Sequence, residues 1–369
     1  MCSLAPLNRF AAPCSSRACG ATAAAYGDGV RKPPSTAEII ADAEWLPHRY
    51  DASTDSVQFR LFERARHGEG PFLTDEYLGP GAATPVAFDT ATANAKPGEL
   101  NFIFHSAFCA STLLARAFDY PGVAMGMSEP VILNDIVGIR RRGAPPRDVA
   151  RMLDGAMRLL ARPFGPGEAV IVKPSNVLNP LADAMLSLRP DARAILLYAP
   201  LPVFLASVAR KGMWCRLWAR ELLEGYLTDG IVDLGMTPQD HFRQTDLQVA
   251  AVGWLAQHAL FARLASKFGP ERVRTLDSEN LIERPVEVLG TLASLFRIEA
   301  SPEQIVAMAS GPAFTRHSKS GDTFSSDQRR EEQRAAADTF ADEIDKVVQW
   351  AGVVAEHAGV SMELPQAIL

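Results

Sequence analysis

The stretch FIFHSAFCASTLLARAF, Phe102–Phe118, joins an apolar run to an apolar helical pattern through a turn of small residues. Ser106, Ala107, Cys109 and Ala110 allow a backbone to approach a ligand closely. Ser111 and Thr112 open the predicted helix, where N–H groups, a positive dipole end and two hydroxyls can meet an anion. This is the chemistry of a phosphate-cradling loop; an ordinary strand-to-helix turn capped by Ser111 has the same residues. The loop is not of the Walker type, because His105, Ala110 and Ser111 stand where GxxxxGK[ST] requires Gly, Gly and Lys.

Three further groups could act on a ligand held there. Glu129 closes a second short apolar run and precedes Pro130, which stiffens the backbone. It reads either as a general base or as a carboxylate capping the next helix. His105, beside the loop, reads as an alternative base or donor, or as a buried histidine bonded to a backbone carbonyl. Lys173 closes the apolar run AVIVK, where a buried ammonium is costly without an anion. It reads as a cation aimed at the ligand, or as one half of an ion pair with a nearby carboxylate.

These groups can meet only if several strands end on one side. Five β-like runs satisfy that need: Leu100–His105, Val123–Met127, Ala169–Lys173, Ala194–Tyr198 and Arg272–Leu276. Most are nearly continuous hydrophobics, as in a parallel sheet covered on both faces. Helical patterns lie between them at Thr112–Phe118, Pro146–Ala161, Pro180–Leu188, Pro202–Ala209 and Leu247–Phe268. The order predicts an α/β fold: an open, doubly wound parallel sheet with helices on both faces and ligands outside the carboxyl ends of its strands.

Before this sheet, Ala37–Trp45 reads as a helix, Asp55–Arg66 as amphipathic without a clear period, and the Gly, Pro and Thr-rich Gly68–Pro97 as an extended connector. Residues 1–35, rich in Ala, Ser, Cys and Pro, read as a tail, 36–98 as an extension, 99–324 as the α/β domain and 325–369 as a helical tail against it. The tail shares some composition with transit peptides but lacks the apolar run of a secretory signal. Trp214 and Trp218, four apart, read as one helix face in the core.

Composition narrows the partners. A net charge of −6 argues against a nucleic-acid coat, and 47% hydrophobic residues against wholesale disorder. Cys2, Cys14, Cys19, Cys109 and Cys215 show neither CxxC pairing nor zinc spacing with histidines. No apolar run approaches the roughly 18 residues of a membrane span. The expectation is a soluble, cytoplasmic, globular chain.

HSAFCASTLLARAF resembles the 5′-phosphosulfate loop of sulfotransferases, a basic residue followed by Ser-Gly-[ST]-Thr and an apolar helix. The match sets Phe108, Cys109, Ala110, Ser111 and Thr112 on those five positions, and Phe108 lacks the family's charge. MSEP, ending at Pro130, resembles a Glu-Pro element found in several branches. AILLYAPLPVFLASVARKG resembles the 3′-phosphate segment, keeping its serine as Ser207 while Ala199 stands where an arginine is usual. RVRTLDSENLIERPVEVLGTLASLFRI keeps Glu279, Leu281, Pro285 and Leu289 of a strand–helix signature, with Asn280 replacing Asp. The basic RHSKSG follows where the family closes a loop over nucleotide. The resemblance spans Leu100–Gly321.

The resemblance implies a P-loop-like enzyme that moves a sulfuryl group from 3′-phosphoadenosine 5′-phosphosulfate to a hydroxyl or amine. It implies that residues 106–112 hold the 5′-phosphosulfate. It implies that Ser207, backed by Arg210 and Lys211, with Arg316 and Lys319, holds the 3′-phosphate. Glu129, or His105, would be the base, and Lys173 would supply the charge missing at Phe108. No metal is required, since a sulfuryl group bears one charge. Two alternatives stay open: a kinase-like enzyme using ATP, Mg²⁺ and Asp277, and a scaffold of the same fold without activity.

Overall fold

Strands with almost no polar side chain are stable only where helices or a second sheet cover both faces. In the computed structural model, which describes residues 34–315 and 339–369, the chain builds two sheets. The first is antiparallel, in the order β1 (Trp45–Asp51), β2 (Ser56–Leu61), β3 (Thr84–Ala87). The second comprises β4 (Leu100–His105), β5 (Ala124–Ser128), β6 (Ala169–Lys173), β7 (Ala194–Tyr198) and β8 (Val273–Asp277). Its order is β5-β6-β4-β7-β8, every pair parallel. The predicted α/β fold is therefore present.

Successive side chains of β4 point to opposite faces. Ile103 joins the apolar core formed with helices Ser111–Ala117, Leu201–Arg210, Asp246–Phe268 and Pro285–Leu295. Phe102 and Phe104 join the core on the other side, with helices Val131–Arg141, Pro146–Leu160 and Ala182–Leu188 and with Val57 and Phe59 of β2. From central β4 the chain crosses to β5 on one side and later returns to place β7 on the other. The loop after β4 thus lies at the switch point where such sheets bind ligands. Gly126 of β5 is needed for this packing, since a Cβ there would lie 2.0 Å from the Ala115 carbonyl oxygen.

The N-terminal region departs from the sequence expectation. The first helix ends at Ala41, and Trp45 opens a strand. Asp55–Arg66, ambiguous in the sequence, contains β2, because SVQFRL alternates and buries Val57 and Phe59. Gly68–Pro97 holds helices Asp75–Leu78 and Phe88–Asn94 and strand β3 rather than only extended chain. Ser35 is not a tail residue but the N-cap of the first helix, in a capping box with Glu38; residues 1–33 lie outside the described residues. Helices Val131–Arg141 and Gly212–Thr228 add to those expected.

One side chain fastens the N-terminal region to the main sheet's helices. Arg162, buried after helix Pro146–Leu160, donates to the carbonyls of Ile39, Ile40, Asp42 and Trp45, and to Leu159. Burial pulls its guanidinium down to about 10, so it stays protonated at neutral pH. The helix Ala341–Ala358 buries Ile344, Val347, Ala351 and Ala355. Beyond it, Gln366 and Ile368 hydrogen-bond Thr275 and extend the β8 edge.

Arg162→Met keeps the stem but leaves those carbonyls without a donor. Stability should fall by about 3 kcal/mol or more, measured by urea unfolding. A loss below about 1 kcal/mol would show that water replaces the guanidinium.

Candidate functional site

The loop after β4 has an unusual backbone for residues with side chains. Ala107, Phe108 and Ala110 have φ of 72°, 52° and 59°, in the left-handed region that favours glycine. Ala110 is the N-cap of helix Ser111–Ala117 and offers it no side-chain oxygen. Ser111 and Thr112 begin that helix, both buried. Strain of this kind persists only where surrounding contacts enforce it.

Those contacts are a set of buried polar bonds. The Ala107 N–H donates to His105 Nδ1 at 3.1 Å, which leaves Nε2 to donate to the Pro174 carbonyl, also at 3.1 Å. Asn179 Nδ2 donates to the His105 carbonyl and to Gln257 Oε1. Ser106 donates its N–H to the Leu197 carbonyl, and its Oγ accepts from the Ala199 N–H at 3.3 Å. Both ring nitrogens of His105 are thus engaged by backbone, and the side chain acts as a strut of the loop. Its Nε2 lies 3.9 Å from Glu129 Oε1.

Glu129 and Lys173 come together at the ends of adjacent β5 and β6. The Glu129 N–H donates to the Lys173 carbonyl at 2.7 Å. Lys173 Nζ pairs with Glu129 Oε1 and lies 3.4 Å from Ser128 Oγ. Lys173 is 0% exposed, whereas the Glu129 side chain retains 17%. Removing an ammonium from water costs several kcal/mol, which a bonded carboxylate offsets. The ion-pair reading of Lys173 is therefore the one seen here: its carboxylate partner is Glu129. Burial pushes the Cys109 thiol up despite the bond with Ser111 and the Lys173 charge, so Cys109 packs the loop as a neutral group.

Glu129 is itself left-handed, at φ 51°. Chain segments on both sides hold it: the Leu73 N–H donates to the Ser128 carbonyl at 2.8 Å, and the Val131 N–H to the Leu73 carbonyl at 3.2 Å. The Phe72 ring centroid lies 4.8 Å from Lys173 Nζ. Neither Phe72 nor Leu73 carries a sequence signal within its Gly and Pro-rich surroundings. Gln257 does, as an amide beside His258 in an otherwise apolar stretch of helix Asp246–Phe268.

Phe108 packs in an aromatic group, 5.8 Å from Phe204 and 5.4 Å from Trp218, with Lys211 Nζ 5.8 Å from its ring centroid. Ser207 is buried on helix Leu201–Arg210, while Arg210 and Lys211 are exposed at its end. Trp214, expected in the core, is 55% exposed; Trp218 is partly buried against Phe108. Asp277 caps the helix Ser278–Glu283 by accepting from the Glu279 N–H at 2.9 Å. It closes β8, two strands from β4, and burial raises it above the usual carboxylate range. Arg316 and Lys319 lie outside the described residues. Among the described residues, no helix is long and apolar enough to cross a membrane.

No protein-family model matches the chain, and no curated protein does. Solved structures do. The sulfotransferase domain from the curacin biosynthetic pathway aligns at 16% identity over 73% of this chain and 99% of its own, with a TM-score of 0.42. Sulfotransferase STF9 from Mycobacterium avium aligns at 12% identity over 68% and 79%, with a TM-score of 0.41. The sulfotransferase domain from the Synechococcus PCC 7002 olefin synthase aligns at 15% identity over 67% and 95%, with a TM-score of 0.38. The likeness is to sulfotransferases.

The buried pair makes a direct prediction. Lys173→Met strands the carboxylate and should lower unfolding free energy by about 3–5 kcal/mol. Adding Glu129→Gln removes the second charge and should return about 1 kcal/mol or more in a double-mutant cycle. Additive single effects would mean that the two groups are not energetically coupled.

Proposed function

We propose that the chain is a sulfotransferase moving a sulfuryl group from 3′-phosphoadenosine 5′-phosphosulfate to a hydroxyl or amine of a small-molecule or peptide acceptor. The observation that carries the reading is the Lys173–Glu129 pair beside a strained loop at the switch point of the parallel sheet. Ser106, Ala107, Phe108, Cys109, Ala110, Ser111 and Thr112 form the 5′-phosphosulfate cradle in this reading. Backbone amides and the Ser111 and Thr112 hydroxyls are its donors. Ser207 and Arg210 hold the 3′-phosphate, with Arg316 and Lys319 as further cations.

The chemistry asks for a base, a cation and alignment. The acceptor oxygen or nitrogen forms a bond to sulfur as the bond from sulfur to the bridging phosphate oxygen breaks. The acceptor proton passes to a Glu129 carboxylate oxygen, and the bond's electron pair leaves on adenosine 3′,5′-bisphosphate. Lys173 serves twice: it holds the Glu129 carboxylate in place, and its positive field favours charge growing on the leaving phosphate. It thereby supplies the charge that Phe108 lacks. His105 contributes by holding the loop, within reach of the same carboxylate. Positioning and fixed charges are expected to carry most of the catalysis.

Two measurements test this reading. Adenosine 3′,5′-bisphosphate without metal should raise the Tm, since a ligand bound only by the native state stabilises it. A larger rise with ATP and Mg²⁺ would favour phosphoryl transfer, and no rise from either would favour a scaffold. Glu129→Gln should lower turnover by about 10²-fold or more while leaving bisphosphate binding nearly unchanged. Retained turnover, with loss in His105→Asn, would move the base to histidine.

A further inference from the structure

The segment Gly70–Leu73 lies outside the sequence resemblance, yet it touches both halves of the site. Arg116, on the helix that follows the loop, donates to the Gly70 carbonyl at 2.8 Å. Leu73 bonds the backbone on either side of Glu129–Pro130, through the Ser128 carbonyl and the Val131 N–H. Phe72, between these points, places its ring 4.8 Å from the Lys173 ammonium, within the range of a cation–π contact.

The segment is itself anchored. Asp75, two residues beyond Leu73, accepts from His48 Nε2 and Arg49 Nη1, each at 2.6 Å. Arg49 also grips Asp135 with two bonds, at 3.0 and 2.7 Å, and the Tyr50 N–H adds a third at 2.9 Å. Asp135 lies on helix Val131–Arg141, which starts directly after Glu129–Pro130. The antiparallel sheet is therefore tied to that helix from one side and, through residues 70–73, to Glu129 from the other.

From this geometry we infer that Gly70–Leu73 is a strap of the reaction centre and that Phe72 is a positioning residue for the Glu129–Lys173 pair. A left-handed glutamate before a proline is an unfavourable conformation that must be held in place. Leu73 holds its backbone, and Lys173 holds its carboxylate. Lys173, in turn, is buried under Phe72, whose π face favours the ammonium where water is absent. Without the ring, the ammonium has a weaker reason to remain at that spot, and the carboxylate loses its fixed direction. Phe72 thus acts on catalysis through Lys173.

The role in turnover rests on the sulfuryl-transfer reading; the role in holding Glu129 does not, and the experiment separates them. Phe72→Leu keeps an apolar side chain and removes the π face, while Phe72→Tyr keeps the face. Hydrogen exchange of the intact chain is followed by mass spectrometry on peptides covering Ser128–Val131 and on β7 peptides. Phe72→Leu should speed exchange at Ser128–Val131 by about 5–10-fold, leave β7 unchanged, and be rescued by Phe72→Tyr. With 3′-phosphoadenosine 5′-phosphosulfate and an accepted acceptor, the same variant should lower kcat by about 10-fold. The acceptor KM should stay within about twofold, and Tyr should again restore the rate. Unchanged exchange at Ser128–Val131 in Phe72→Leu, or equal loss of protection across β7, would overturn the inference. An intact kcat in an active enzyme would do the same. A wild-type chain that transfers no sulfuryl group would overturn the function proposed above, while exchange would still decide whether Phe72 holds Glu129.

Discussion

An ammonium at the end of an apolar strand, with no access to water, needs an anion, and much of this structure follows from that need. Lys173 is fully buried because β6 is flanked by strands on both sides and covered on both faces. Its anion is Glu129, from the end of the neighbouring strand. The pair therefore depends on the β5–β6 register, which sets Ser128 opposite Lys173. A one-residue slip would turn the Lys173 side chain to the other face and separate it from its partner. Charge pairing and sheet register thus reinforce each other.

The loop after β4 depends on the same region in a less direct way. His105 bridges its own loop and the Pro174 carbonyl, one residue past Lys173. Asn179, on the segment that follows, supports the His105 carbonyl. The chain after β6 is in this sense the floor of the loop after β4. Such a floor holds Ala107, Phe108 and Ala110 left-handed without glycine. A backbone kept in that state by its surroundings is preorganised, which is the condition under which fixed dipoles act on a developing charge. The departure of Phe108 from the basic residue of the sulfotransferase pattern fits this arrangement. The side chain fills an aromatic cluster with Phe204 and Trp218, and in the proposed function the cation comes from β6 instead.

The main sheet was legible in the sequence because parallel strands buried on both faces are short apolar runs, and these stand out against Gly, Pro and charged punctuation. The placement of Glu129, His105 and Lys173 was legible for a related reason: a titratable group closing such a run lies at the carboxyl end of its strand. An ion pair at Lys173 was foreseen, but not that Glu129 is its partner, since this depends on β5 and β6 being neighbours, a matter of topology rather than local pattern. The N-terminal sheet was not recognised because SVQFRL fits two periods over so short a stretch, and its hairpin partner contains Pro47. Phe72 and Leu73 escaped notice because one acts through a ring face and the other through backbone groups that every residue has.

The central claim is that the Glu129–Lys173 pair and the loop after β4 serve one anionic ligand. A crystal structure of the chain with adenosine 3′,5′-bisphosphate tests it most directly. The account predicts the 5′-phosphate within hydrogen-bond distance of Ser111 and Thr112, with Lys173 still joined to Glu129 and the free carboxylate oxygen facing the space beside the phosphate where sulfuryl group and acceptor meet. A nucleotide bound away from the loop, or a pair walled off from the phosphate by intervening side chains, would contradict it.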